Sequence, residues 1–276
     1  MAVFHHNFIL TSLFIFLRNI IVVYSRGPVY TPPDVDRLTD RFSRLSVNQS
    51  YNVFFGGANV HVTNNGTRAD LSLDKSSDIF PHKHDEIDIE LLGHEKRREW
   101  VLQTNIYGNG SVSTGREEKF YLWFDPTQGF HDYTILWNNH HILFLVDNIP
   151  VREVVHNNAT SSVYPSKPMS VYATIWDASQ WATHGGKYPV NYKFAPFVAS
   201  MTGIEMEGCI VNSKNMAPSC SKSSVSSLDP VDGEQFSKLS SQQISGLEWA
   251  RRKHMFYSYC QDKPRYKVLP QECSAK

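Results

Sequence analysis

Between Glu86 and Leu91 the chain alternates strictly, acidic then apolar: EIDIEL. A period of two belongs to an extended strand with one buried face, not to a helix. On such a strand Glu86, Asp88 and Glu90 share one face, and Ile87, Ile89 and Leu91 share the other. With Asp85 in front, four carboxyls fall within six positions. Carboxylates repel one another and resist burial, so a row of them backed by branched apolar residues is costly unless chemistry uses it.

The spacing suits glycoside chemistry. Residues four apart on a strand lie about 13 Å apart, at roughly 3.3 Å per residue. Two glutamates leaning inward leave about 5–6 Å between carboxyls, the separation that retaining glycosidases need. Asp88, midway on the same face, is placed to hydrogen-bond one of them. Crowding raises one pKa while another group stays ionised, which separates acid from nucleophile. Two plainer readings are a solvated edge strand and a calcium site. Edge strands are more often guarded by lysine, and calcium also recruits loop carbonyls.

The rest of the chain speaks the same language. Short alternating runs (YNVFF, ANVHVT, ADLSLD) broken by Gly and Asn fill 42–75. Strands are expected at 99–107, 118–124, 132–137, 141–147 and 169–176, with no helix between them. That is an antiparallel β-sandwich. After a Ser-rich stretch near 212–245, apolar groups at 242–254 take helical spacing, with Ser240 or Ser241 as the cap. MFYSYC then returns to strand. His140 and His141 read as surface or strand residues.

Charge and targeting narrow the class. The chain of 276 residues holds 27 basic and 27 acidic residues, which argues against nucleic acid or an anionic membrane as partner. FILTSLFIFL is signal-peptide length and too short to span a bilayer, so residues 1–25 read as a cleaved leader, with a signal anchor as the lesser reading, and no stable membrane association is expected. Sequons at Asn48, Asn65, Asn109 and Asn158 agree with secretion. The four cysteines, all beyond residue 208, form the short-range candidates Cys209 with Cys220 and Cys260 with Cys273. In an oxidising compartment disulfides are favoured over metal ligation, because no CxxC spacing occurs.

HDEIDIELLG resembles the active-site signature of the plant xyloglucan endotransglucosylase/hydrolases, in glycoside hydrolase family 16. Lichenases carry a similar acidic strand. LQTNIYGNGS, GREEKFYLWFDPTQGFHDYTILW, VDNIPVREV, PMSVYATIWDASQWATHGGKY and FYSYCQDKPRYKVLPQEC extend the resemblance from Asp78 to Cys273, into an extension that lichenases lack. It implies an all-β jelly-roll (concanavalin-like) sandwich over 26–205 and a disulfide-stapled extension with one helix over 206–276. It implies Glu86 as nucleophile, Glu90 as general acid/base and Asp88 as their auxiliary. Glucan contacts would come from Glu90 itself, Gln103, Thr104, Asn105, Arg116, Glu117, Gln180, Trp181 and Gly185. Trp176 would add a stacking face and Arg265 an acceptor-side contact. Asn109 matches the glycan position of one branch of the family, and the short segment after it favours transfer over hydrolysis.

By the same resemblance the partners are xyloglucan donor and acceptor chains, the place is the plant cell wall or apoplast, the state is monomeric, and neither cofactor nor metal is implied. One departure stands out. Family members carry several strands between the segments resembling ADLSLDKSS and DIFPHKHDE, whereas here Ser77 is followed at once by Asp78. About forty residues are absent, room for several strands of about five or six residues. The sandwich is therefore expected to be incomplete on the donor side of the cleft. The alternatives to a transferase are an inactive, truncated glucan-binding homologue and a lichenase-like β-glucan hydrolase.

Overall fold

The computed structural model describes residues 31–50, 52, 57–73, 85–93, 100–110, 113–182, 186–211, 218–220 and 229–274. The expected leader at 1–25, the run YNVFF except Asn52, the Ser77–Asp78 junction and Gly185 lie outside the described residues. The strands are β1 (Arg44–Leu45), β2 (Val60–Thr63), β3 (Arg68–Leu73), β4 (Glu86–Leu92), β5 (Val101–Tyr107), β6 (Glu118–Tyr121) and β7 (Tyr133–Trp137). They continue with β8 (His141–Val146), β9 (Ile149–Val155), β10 (Phe197–Thr202), β11 (Ile204–Glu205), β12 (Cys209–Val211), β13 (Pro218–Cys220) and β14 (Met255–Ser258). Among the described residues two α-helices join them, the single turn α1 (Val47–Ser50) and α2 (Ser241–Lys253).

Every described ladder is antiparallel. One sheet runs β14-β6-β5-β4 and a second runs β7-β8-β9; β10-β3-β2 form a smaller sheet, and β1-β11 and β12-β13 are pairs. The first two make the sandwich. Leu102, Ile106 and Phe120 on one side meet Ile142, Phe144, Val146, Ile149 and Val151 on the other, with Ile87 and Ile89 half-buried at the margin.

Strand β8 is buried along its whole length. Its even positions face this core, while Leu143 and Leu145 face a second cluster with Leu136, Val231 and Phe236. Burial on both faces is why HILFLV is an apolar run rather than an alternation. Asp147 and Asn148, at φ 49° and 66°, close the β8–β9 hairpin in the left-handed conformation that such two-residue turns require.

Helix α2 begins at Ser240, whose side chain accepts from the Gln243 amide in a capping box, and ends on Arg251, Arg252 and Lys253. Gly246 lets it lie on β9: a Cβ there would come within 3.3 Å of Pro150 and Val35 and 3.4 Å of Ile149. Cys260 and Cys273 form a disulfide, and Cys209, opposite Cys220 in the β12–β13 register, is disulfide-bonded too.

Two expectations need correction. Residues 169–176 make no strand; Val171 and Tyr172 are 61 % exposed, and no described strand lies alongside to supply ladder bonds. A strand missing from the sequence reading is β9. It carries Pro150 at a register shift against Phe144 and Leu145, and a bulge is the place where a sheet tolerates proline.

Candidate active site

Strand β4 delivers the three carboxylates as its alternation requires. Glu86 lies opposite Tyr107, Asp88 opposite Asn105 and Glu90 opposite Gln103, with Lys119 next to Gln103 in the following strand. Cross-strand partners share a face. That face, the floor of the expected cleft, therefore carries Glu86, Asp88, Glu90, Tyr107, Asn105, Gln103 and Lys119. Among the described residues β4 is the outer strand of its sheet.

Electrostatics set the three acids apart. Burial, then the charges of Glu90 and Glu86, and a hydrogen bond to Glu86 raise the Asp88 pKa well above the usual range, against the pull of Arg152. The Asp88 carboxyl therefore favours its protonated form more than an ordinary carboxyl does, in hydrogen-bond contact with Glu86, while among the described residues its Oδ1 is buried without a hydrogen-bond partner. Burial and the Glu86 charge push Glu90 up to about 7, partly offset by Lys119. Gln103 Nε2 donates to Glu90 Oε2 at 2.5 Å. The row holds one carboxyl poised near neutrality and another that burial and its acidic neighbours push well above the usual range.

The remaining residues implied by resemblance divide. Gln103 and Asn105 face the acids, and Asn105 Oδ1 accepts the Arg116 amide at 2.7 Å. Thr104 does not: it is fully buried on the core face, where its carbonyl and hydroxyl both accept from Arg152 at 3.1 Å. Arg116 is also turned away, its Nε donating to Glu272 at 2.5 Å. Glu117 and Arg265 pair bidentately at 2.7 and 3.0 Å, beside Tyr257. Trp176 and Trp181 are 40 % and 42 % exposed with ring centroids 5.7 Å apart, and Gln180 is exposed.

Of the sequons, Asn65, Asn109 and Asn158 are exposed, and Asn65 and Asn109 sit at φ 55° and 59° in turns. Asn48 lies in α1. Among the described residues no group of three or more His, Cys, Asp or Glu could hold a metal ion. No described helix is long and apolar enough to cross a membrane.

Sequence reasoning missed Lys119 and Tyr107, and counted Asp85 among the acids without finding its partners. Lys119 and Tyr107 could have been found by carrying the period of two from β4 onto β5 and β6. The partners of Asp85 could not, because they lie far away in the chain. Beneath the row, Glu118 gathers a buried cluster. It accepts from Arg251 at 2.6 and 3.1 Å and from Ser258 at 3.1 Å, with Arg152 at 3.8 Å. The C-terminal elements are thereby tied to the underside of the cleft floor.

Comparison with known proteins adds a second line of support. Residues 35–194 match the family model of glycosyl hydrolases family 16, and residues 223–273 match that of the xyloglucan endo-transglycosylase C-terminus. The Arabidopsis thaliana protein described as probable xyloglucan endotransglucosylase/hydrolase protein 28 is 50% identical over 72% of this chain and 58% of its own length. Xyloglucan endotransglucosylase/hydrolase protein 2 of the same plant is 42% identical over 69% of this chain and 63% of its own. A Solanum lycopersicum relative, probable xyloglucan endotransglucosylase/hydrolase 1, is 33% identical over 82% of this chain and 87% of its own. The chain therefore spans under two thirds of the first two of these relatives and most of the third.

Proposed function

The chain belongs to glycosyl hydrolases family 16, among the xyloglucan endotransglucosylase/hydrolases, and from that premise we propose that it cuts the β-1,4-glucan backbone of xyloglucan with retention and passes the cut chain to another xyloglucan end. Glu86 attacks the anomeric carbon while Glu90 protonates the leaving oxygen. Asp88, midway between the two glutamates and hydrogen-bonded to Glu86, steadies it. Once Glu86 is esterified its charge is gone, and the Lys119 charge still acts on Glu90. The Glu90 pKa then falls, which suits the base that must activate the incoming hydroxyl.

The observation that carries this reading is the division of labour on β4: Glu90 near 7, Asp88 raised well above the usual range and bonded to Glu86. The domain limits 26–205 and 206–276, a leader at 1–25, secretion to the plant cell wall, a glycan at Asn109 and a monomeric state belong to the same proposal. So do glucan contacts at Gln103, Asn105, Glu117, Gln180, Trp176, Trp181 and Arg265.

The test is transfer. The purified protein is incubated with xyloglucan and a labelled xyloglucan oligosaccharide, and label in polymer is counted. Incorporation that vanishes in Glu86→Ala is expected. A second reading has one observation in its favour, the outer position of β4: a glucan-binding protein without turnover. A soluble, cooperatively melting protein that binds xyloglucan and transfers nothing would establish that reading instead. New reducing ends from mixed-linkage glucan without an acceptor would mark a lichenase-like hydrolase.

A further inference from the structure

Asp85 is 3 % exposed, and its hydrogen bonds among the described residues all come from backbone amides. Its Oδ1 accepts the Gly110 amide at 2.7 Å, and its Oδ2 accepts those of Ser166 and Lys167, both at 2.9 Å. Burial works against its charge, but the three amides together with the nearby Lys167 charge hold its pKa below the usual carboxylate range. These donors come from two connections remote in sequence. The first is the Asn109–Gly110 turn, at φ 59° and 69°. The second follows a segment that presses on β5, where a Cβ on Gly108 would stand 2.2 Å from the Val163 carbonyl.

We propose that Asp85 is a positioning residue: its buried carboxylate ties the leading end of β4 to the Asn109–Gly110 turn and to Ser166–Lys167, and so fixes where Glu86 sits. The inference rests on Glu86 being the nucleophile. Alternation puts Asp85 on the underside of the strand and Glu86 directly after it on the cleft side. Only one ladder, Glu86 opposite Tyr107 on β5, holds that end of β4 among the described residues. The three bonds to Asp85 supply the restraint that a second neighbouring strand would otherwise give. A displacement near 1 Å at a reacting group costs about 100-fold in rate.

The experiment uses the full chain and an active-site-directed inactivator, a xyloglucan oligosaccharide carrying an epoxyalkyl aglycone that esterifies the nucleophile. Its attachment to Glu86 is read by mass spectrometry. In Asp85→Asn the amide cannot accept all three backbone donors, and labelling is expected to slow about 100-fold with an unchanged saturation constant. Hydrogen exchange of the β4 amides is expected to rise at least about tenfold, as for loss of a charge-assisted hydrogen bond, while β8 stays protected. Ile142→Val, in the core away from the cleft, lowers the melting temperature and should label at the wild-type rate.

Wild-type labelling in Asp85→Asn overturns the proposal. So does slowing that comes with an equal rise in the saturation constant, or equal slowing in Ile142→Val. If the wild-type protein itself takes no label, the functional reading fails separately. Exchange then decides: selective loosening of β4 upholds the tie, and unchanged protection overturns it.

Discussion

Glu90 binds its proton more tightly in the folded chain than in the unfolded one, so its carboxyl favours folding below the ordinary glutamate value of 4.5 and that advantage drains away as pH rises to about 7. Glu90→Gln should therefore match the wild-type melting temperature at pH 4 and exceed it at pH 8, by about 3 kcal/mol of stability. The same substitution removes the acid, and transfer should drop about 100-fold or more. In the wild-type protein, transfer should decline as pH passes through about 7, where Glu90 loses its proton. A flat rate from pH 6 to 8 would contradict that assignment. At this scale the acidic row was legible because a period of two is visible in one short stretch. Resemblance alone carries residue names without faces, so it grouped Thr104 with Gln103 and Asn105 although it points into the core. The Arg116–Glu272 pair spans 156 positions, and no local pattern announces it.

Elements differ in how much of their rationale is local. Helix α2 was readable because cap, spacing and basic last turn all sit within it. Ser240→Ala should cost about 1 kcal/mol, a loss of roughly 2–4 °C in thermal unfolding. Strands β5 to β8 were readable from hydrophobic runs, with ends shifted by a residue or more. β9 was not, since Pro150, Arg152 and Glu153 interrupt the apolar pattern and their reasons lie elsewhere: a bulge against β8, and Arg152 reaching Thr104 and Glu118. Residues 169–176 erred the other way. MSVYATIW has strand composition, but a strand is made by its neighbour, and none of the described strands lies beside it. The buried junction at Glu118 gives the sharpest test of how sheet and extension depend on each other. Glu118→Ala leaves Arg152 and Arg251 without their shared acceptor and should cost about 3 kcal/mol, measured by denaturant unfolding.

Across the whole molecule the C-terminal residues brace the end of the cleft away from β4. Arg265, Tyr266 and Glu272 all bond to the 115–117 segment, and all three lie inside the loop closed by Cys260 and Cys273, a separation of 13 residues. Replacing both cysteines by serine should lower stability by about 3 kcal/mol. It should also raise the acceptor KM more than the donor KM, which steady-state transfer assays with each substrate varied in turn would read. The sequence suggested the staple but not its load, because what it braces is set by the fold around it.

The outer place of β4 among the described residues has a mechanical meaning. A strand held along one side behaves as a cantilever, stiff against its neighbour and compliant outwards. On the proposed mechanism the glucan in transit would be held at that compliant margin, while the newcomer would be received over the braced end. Hold on the departing chain is then set less by contact area than by how little its mooring can yield.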